Sequence, residues 1–284
     1  MARILTHIHL YYTEMWTELK SCLDNIFVPY DLFVTIVKND DALKNEILRF
    51  KPEATVSVVE NRGFDVAPFI DILNRVNLND YDYIIKLHTK RNMPEGFILN
   101  GFNVSGDLWR KYLLNFIRKQ ENFKKCLTAF ETVPQLGMVS DFRLICKKDK
   151  SNRSIVLKAL ETMKKLSFPV REYNYVMGTM FMARAKLFQP LLPLRSLDFE
   201  PSDKTSGNTN SFIGEILFGY AVNAQGYQIK DVMTSPAKQF YGKTIAQLQN
   251  FLWRKKVTSS GKTIVKFCKI PVFVSKNNGG QNAL

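Results

Sequence analysis

The chain has 284 residues and 45% hydrophobic content, enough for one large α/β domain or one domain with an appendage. It contains no apolar run of about 18 residues, which excludes a membrane-spanning helix, and its opening MARILTHIHLYYTEMW lacks the order of a secretory leader, so a cytoplasmic protein is expected. The net charge of +14 is uneven, with nine Lys and Arg and no acidic residue after Asp231.

Alternation of Ile4, Thr6, Ile8 and Leu10 predicts a first strand. A helix follows from about Thr13, with Met15, Trp16, Leu19, Cys22, Leu23 and Ile26 on one face. DLFVTIV (31–37) is the near-continuous apolar run of a strand covered on both faces. Leu43, Ile47, Leu48 and Phe50 mark a short helix, and ATVSVVE (54–60) a third strand. The next helix starts at Asp65 and repeats apolar residues at Val66, Phe69, Ile70, Leu73 and Val76; DYIIKLH (82–88) is the fourth strand. This βαβαβαβ order predicts an α/β fold with a parallel, Rossmann-like sheet flanked by helices.

Beyond residue 105, GDLWRKYLLNFIRKQENFKKCLTAFET predicts one or two helices and LGMVSD (136–141) a short strand. Residues 147–171 are charged and poorly patterned. NYVMGTMFMARAKLF predicts a strand broken at Gly178 and then a helix, DFEPSDKTSGNTN (198–210) a polar loop, and SFIGEILFGYAVNAQ a helix capped at Gly226. YQIKDV is the last strand of a domain covering 1–235, and 236–284 form a basic C-terminal extension. There the charges are interleaved with Phe251, Leu252, Trp253, Phe267 and Phe273, the composition of an interfacial helix on an anionic membrane. A solvated basic segment and a nucleic-acid surface are the other readings, the last resting on charge alone. Cys22, Cys126, Cys146 and Cys268 form no CxxC pair and, with His7, His9 and His88, no plausible zinc set, so they are expected to be reduced thiols.

Ligands of parallel sheets bind beyond the carboxyl ends of the strands. Three polar clusters fall at such ends. In VVENRGFDVAPF (58–69), Asp65 as N-cap, Pro68 in the first turn and Gly63 in the bend explain themselves, whereas Asn61 and Arg62 do not. In KLHTKR, Lys86, His88 and Lys90 alternate along one face, a grouping suited to a diphosphate or to a solvated strand end. Gly178-Thr179 is the third. GDLWR adds Asp107, Trp109 and Arg110, either as part of a site or as a capped helix with one core aromatic. GxGxxG, GxxxxGK[ST] and GxSxG motifs are absent, which argues against dinucleotide, P-loop and hydrolase chemistry.

VENRGFDVAPF, YDYIIKLHTKR, GDLWR, LGMVSD and GTMFMAR, preceded by HIHLYYTEMWTEL and YDLFVTI, resemble in order and spacing the rhamnan synthesis protein F family, over about residues 3–230. The resemblance implies a rhamnosyl- or related glycosyltransferase of bacterial cell-surface polysaccharide synthesis, including O-antigen, with a GT-A-like fold. It places Asn61 and Arg62 in a donor pocket, with Asp65, Lys86, His88, Lys90, Trp109, Arg110, Gly178 and Thr179. The donor would be a nucleotide-sugar such as dTDP-rhamnose and the acceptor a glycan or lipid-linked glycan at the cytoplasmic membrane face. Where GT-A enzymes commonly place a metal-binding DxD, this chain has His88-Thr89-Lys90, so transfer without a metal or other cofactor is expected. Glu200, Asp203 and Glu215 are candidate bases around the late polar loop. The family's Asp-Gly-Thr, later His and Glu-Arg become Gly207-Asn208-Thr209, Phe212 and Glu215-Ile216. Those departures leave open a second class, a non-catalytic glycan-binding or scaffold component.

Overall fold

The computed structural model describes residues 2–147, 153–168, 174–196, 199–202, 210–257, 262–268 and 270–276. They fall into two compact units, Met1–Glu95 with Ser105–Thr234, and Gly96–Val104 with Ser235–Leu284.

The first unit opens as its periodicity predicts. Strands β1 (Ile4–Leu10), β2 (Tyr30–Ile36) and β3 (Thr55–Val58) alternate with helices α1 (Trp16–Leu23), α2 (Asp41–Phe50) and α3 (Val66–Arg75), and β4 (Tyr83–His88) follows. Every residue of β1 and β4 is buried, including Thr6, His7, His9, Lys86 and His88. A strand enclosed on both faces has no solvent for its polar residues; His9, Lys86 and His88 find partners inside, whereas Thr6 Oγ1 and His7 Nδ1 have none among the described residues.

A hairpin of β5 (Met93–Leu99) and β6 (Phe102–Gly106) comes next, most of it belonging to the second unit, and the first unit resumes with α4 (Leu108–Leu113), α5 (Gln120–Thr132), β7 (Leu136–Val139) and β8 (Ile145–Lys147). The charged stretch after 147 contains α6 (Arg153–Lys165), where Ile155, Val156, Ala159 and Met163 are buried at helical spacing among Lys and Glu. The region expected to be one broken strand is two, β9 (Asn174–Val176) and β10 (Phe181–Arg184), in different sheets. Gly178, at φ +81°, turns the chain between them. The helix expected after Arg184 is a 3₁₀ stretch, Ala185–Ser196, because Pro190 and Pro193 remove the donors an α-helix requires. Helix α7 (Asn210–Ala224) and β11 (Gln228–Lys230) complete the unit.

The main sheet has the order β11-β7-β10-β4-β1-β2-β3. All neighbours run parallel except at β10, which is antiparallel to both β4 and β7. Phe181 at the start of β10 pairs with Lys86 near the end of β4. The turn entering β10 therefore lies at the same sheet edge as the carboxyl ends of the parallel strands. Helices α3 and α7 bring Phe69 and Phe218 together with Phe181 of β10, at centroid distances of 5.2–6.2 Å.

In the second unit the basic segment is folded. Helix α8 (Pro236–Leu252) runs into an antiparallel sheet of β12 (Trp253–Val257), β13 (Lys262–Phe267) and β14 (Ile270–Lys276). Trp253 through Lys256 thus form a strand, not the end of an interfacial helix; the β-branched and aromatic residues of TIVKF and VFV favour that state. The four cysteines are free thiols, three of them buried.

Candidate functional site

A cleft of about 600 Å³ opens at the carboxyl edge of the main sheet, beyond β1, β3 and β4. Its walls come from the turn after each of these strands, from the turn entering β10, and from one face of α7.

Beneath it lies a buried ion pair. Lys86 is fully buried, and its ammonium donates to the Asp65 carboxylate, to the Thr179 carbonyl at 3.2 Å and to Thr179 Oγ1 at 3.0 Å. Thr179 Oγ1 donates in turn to the same Asp65 oxygen. All three ammonium donors are thereby used. The rings of Phe69 and Phe218 lie 5.4 and 5.7 Å from the nitrogen and screen it from water. Burial lowers the Lys86 pKa while Asp65 raises it. For Asp65, burial works to raise the pKa, but His88, Lys86 and the hydrogen bonds from Lys86 and Thr179 prevail and hold the carboxyl well below its usual range. At neutral pH the Lys86 charge supplies that attraction.

The pair changes the expected role of Asp65. It does occupy the N-cap position of α3, yet its side chain makes no capping bond. The first turn is closed by the Gly63 carbonyl, which accepts from Val66 N at 3.0 Å and Ala67 N at 3.2 Å. A buried ammonium is the costlier group to leave unpaired, so it takes the carboxylate.

The Asn61–Asp65 turn is clamped to residues 199–202. Gly63 N donates to the Glu200 carbonyl, Ser202 N to the Asn61 carbonyl and Phe64 N to Ser202 Oγ, each at 2.9 Å. Arg62 Nε donates to the Phe199 carbonyl at 3.0 Å, so Arg62 holds the turn and is not among the cleft-lining residues. A Cβ on Gly63 would sit 2.5 Å from that of Ala67. Phe64 itself has φ +50°, a left-handed conformation costing about 1–3 kcal/mol, and the clamp keeps its ring at the cleft.

Glu215 faces this turn from α7. Gly214 permits the approach of α7 to α3, since a Cβ there would fall 2.4 Å from Val66 Cγ1. The Glu215 carboxylate lines the cleft and accepts from Gly178 N. Burial, reinforced by the Asp65 charge, raises its pKa to about 7 against the opposing pull of Gly178 N–H, Lys90 and Lys86. Gly178 is itself indispensable: a Cβ would meet Leu113 Cδ2 at 2.6 Å and Trp109 Cζ2 at 2.8 Å. Thr179 follows at φ +50°.

His88 is buried, with Nε2 donating to the Gly178 carbonyl at 2.7 Å. Burial lowers its pKa. The 3.1 Å approach of Nδ1 to the Thr89 carbonyl becomes a hydrogen bond only when the ring takes a second proton. One residue on, Lys90 lines the cleft, and among the described residues its ammonium makes no hydrogen bond or ion pair. The side-chain amide of Asn61 is likewise unbonded among the described residues and lines the cleft.

The model of one protein family, described as rhamnan synthesis protein F, matches residues 1–227. The chain belongs to the rhamnan synthesis protein F family. Two curated relatives, each named "Uncharacterized protein WxcX" and from two strains of Xanthomonas campestris pv. campestris, are 25% identical over 231 residues, or 79% of this chain. The chain spans 32% of the length of these relatives. A crystal structure of S. aureus TarS 1-349 aligns with 87% of this chain and 65% of its own, at TM-score 0.43 and 12% identity.

Within this family member, the sequence-predicted residues divide. The structure brings Asn61, Asp65, His88, Lys90, Trp109, Gly178, Thr179 and Glu215 around one cleft, with Lys86 beneath its floor. Arg110 is turned elsewhere, with Nε 2.6 Å from Glu18 Oε2. Glu200 accepts from Asn210 N at 3.0 and 3.2 Å, so it closes the start of α7 and is not among the cleft-lining residues. Asp203 and Gly207-Asn208-Thr209 lie outside the described residues.

Sequence reasoning missed His9, Tyr11, Tyr12, Phe64 and Thr89. Thr89 Oγ1 accepts from Tyr11 N at 3.1 Å and Tyr12 N at 3.0 Å, tying the end of β1 to that of β4. The Arg91 guanidinium lies 4.0 Å from the Tyr12 ring centre. His9 shares Thr35 Oγ1 with His7, each at 3.0 Å, and burial takes its pKa down to about 4, so it is neutral at pH 7. The usable signal was polar residues in a strand otherwise enclosed on both faces.

Proposed function

We propose that the cleft is the active site of a glycosyltransferase with GT-A-like architecture, which moves a sugar from a nucleotide-diphosphate donor to a growing polysaccharide. Glu215 carries this reading: a cleft carboxylate with a pKa near 7 is matched to accepting a proton at neutral pH. Transfer is a single inverting displacement. The acceptor hydroxyl oxygen bonds to the anomeric carbon as that carbon's bond to the diphosphate oxygen breaks. The nucleoside diphosphate leaves with the electron pair, and the hydroxyl proton passes to Glu215.

Lys90, unbonded among the described residues, offsets charge on the leaving diphosphate without a metal ion. Lys86 acts differently from the expectation that it touches the donor. Its ammonium is spent on Asp65 and Thr179, so it positions the turns that carry Asn61 and Gly178. Membership of a family named for rhamnan synthesis supports rhamnose as the sugar, with dTDP-rhamnose the first donor to try. Helix α8 exposes Phe240, Tyr241, Leu248 and Phe251 on a basic unit, which supports a place on an anionic membrane face beside a lipid-linked acceptor.

A donor screen tests the proposal by released nucleoside diphosphate and product mass. Glu215→Gln is expected to slow turnover by about 10²–10⁴-fold with donor binding retained. Full activity of that variant refutes the assignment. The substitution of Ile216 for the family Arg favours the scaffold reading as the second; glycan binding without any nucleoside diphosphate release would decide for it.

A further inference from the structure

The cleft contains an apolar element that the proton transfer does not use. Phe212 is 42% exposed within it, and the Phe64 ring lies beside it at a centroid distance of 6.4 Å and an angle of 52°. A large aromatic surface left facing water in a cleft marks a place where something apolar can cover it. The two rings are held by different means. Phe64 is fixed by its left-handed backbone and by the Phe64 N to Ser202 Oγ bond. Phe212 stands in the first turn of α7, three residues before Glu215, so ring and carboxylate share one helix face.

We propose that Phe212 and Phe64 form the acceptor-sugar platform, on which a neutral pyranose ring lies with its C–H face against Phe212 and a hydroxyl directed at Glu215. The proposal rests on the glycosyltransferase reading for the role of that hydroxyl, and on the geometry alone for the binding of the ring. The aromatic π-face is electron-rich, whereas pyranose C–H groups are weakly positive and lie together on one face of the ring. The hydroxyls around the ring edge remain free for polar partners. The base fixes which sugar this is. Glu215 has to reach the acceptor hydroxyl, so a ring seated one helical turn from it belongs to the acceptor. Lys90 lines the same cleft and suits the anionic donor, while Arg91, over the Tyr12 ring, is paired with Glu14 Oε1 at 2.8 Å.

The test is saturation-transfer NMR on the full chain without donor, using methyl α-L-rhamnopyranoside and methyl β-D-glucopyranoside as probes. Transfer is expected to the ring C–H protons of at least one probe. Phe212→Ala should weaken binding about tenfold, and Phe212→Tyr, which keeps the face, should retain it. Because Phe212 is exposed, both variants should keep the unaltered protein's melting temperature. Equal binding by Phe212→Ala and the unaltered protein overturns the platform, as does no transfer to either probe from the unaltered protein. Phe212-dependent sugar binding with no nucleoside diphosphate released from any donor would leave the platform standing while the transferase reading falls.

Discussion

Glu215→Gln also makes a stability prediction, independent of any substrate. Glutamine keeps an oxygen for Gly178 N–H and removes the ionisable group. In the folded protein burial and Asp65 raise the Glu215 pKa from 4.5 to about 7. The folded state therefore holds this proton over a range in which the unfolded chain has lost it, and stability falls as pH rises from about 4.5 through about 7. Each tenfold in proton affinity corresponds to ~1.4 kcal/mol, so the gap amounts to ~3 kcal/mol, fully expressed above about pH 7.5 and absent near pH 4. Glu215→Gln escapes that loss. Urea unfolding followed by circular dichroism should show the variant more stable by up to ~3 kcal/mol at about pH 8, with most of the advantage gone at about pH 5. A stability difference that is the same at both pH values would refute the raised pKa, and with it the match of this carboxylate to base catalysis at neutral pH.

Lys86→Met should cost ~3–5 kcal/mol by leaving the Asp65 carboxylate unpaired, and adding Asp65→Asn should recover part of the loss. Urea midpoints of the single and double variants check this; an undiminished single variant would contradict the buried pair. Transfer should survive EDTA, since Lys90 is proposed to do the work of a cation; activity abolished by chelation and restored by manganese would overturn that role. The intact protein should sediment with phosphatidylglycerol vesicles in low salt and be released at ~0.5 M, where the screening length is only about 4 Å. Binding indifferent to salt, or none at low salt, would dismiss the membrane role of the basic unit.

The order of the first four strands was legible because each is short, apolar and separated by a helix of clear 3.6-residue period. Elements whose pattern was diluted escaped. Helix α6 buries a narrow face among many charges, and Pro94, Gly96 and Gly101 interrupt the strand pattern of the β5–β6 hairpin. At the site, Asn61, Asp65 and Gly178 were identifiable as an excess of polar or flexible residues at strand ends. Their roles were not. An aspartate before a helix is the same letter whether it caps the helix or neutralises a lysine 21 residues later. Burial of Lys86 was equally hidden, because a lysine near a strand end is usually solvated. Phe64 reads as a turn residue until the clamp to Ser202 shows where its ring is held.

Lys86 has a second consequence, for the order in which the chain is made. Strands β1 to β4 are complete before residue 90, whereas Thr179 and β10 lie 93 residues beyond Lys86. Until β10 docks, β4 is the open margin of the nascent sheet, and its sequence YIIKLH would be a sticky template for another chain. An inward-directed lysine in such a margin opposes pairing with a second molecule, because that pairing would bury the charge without Thr179 to help hold it.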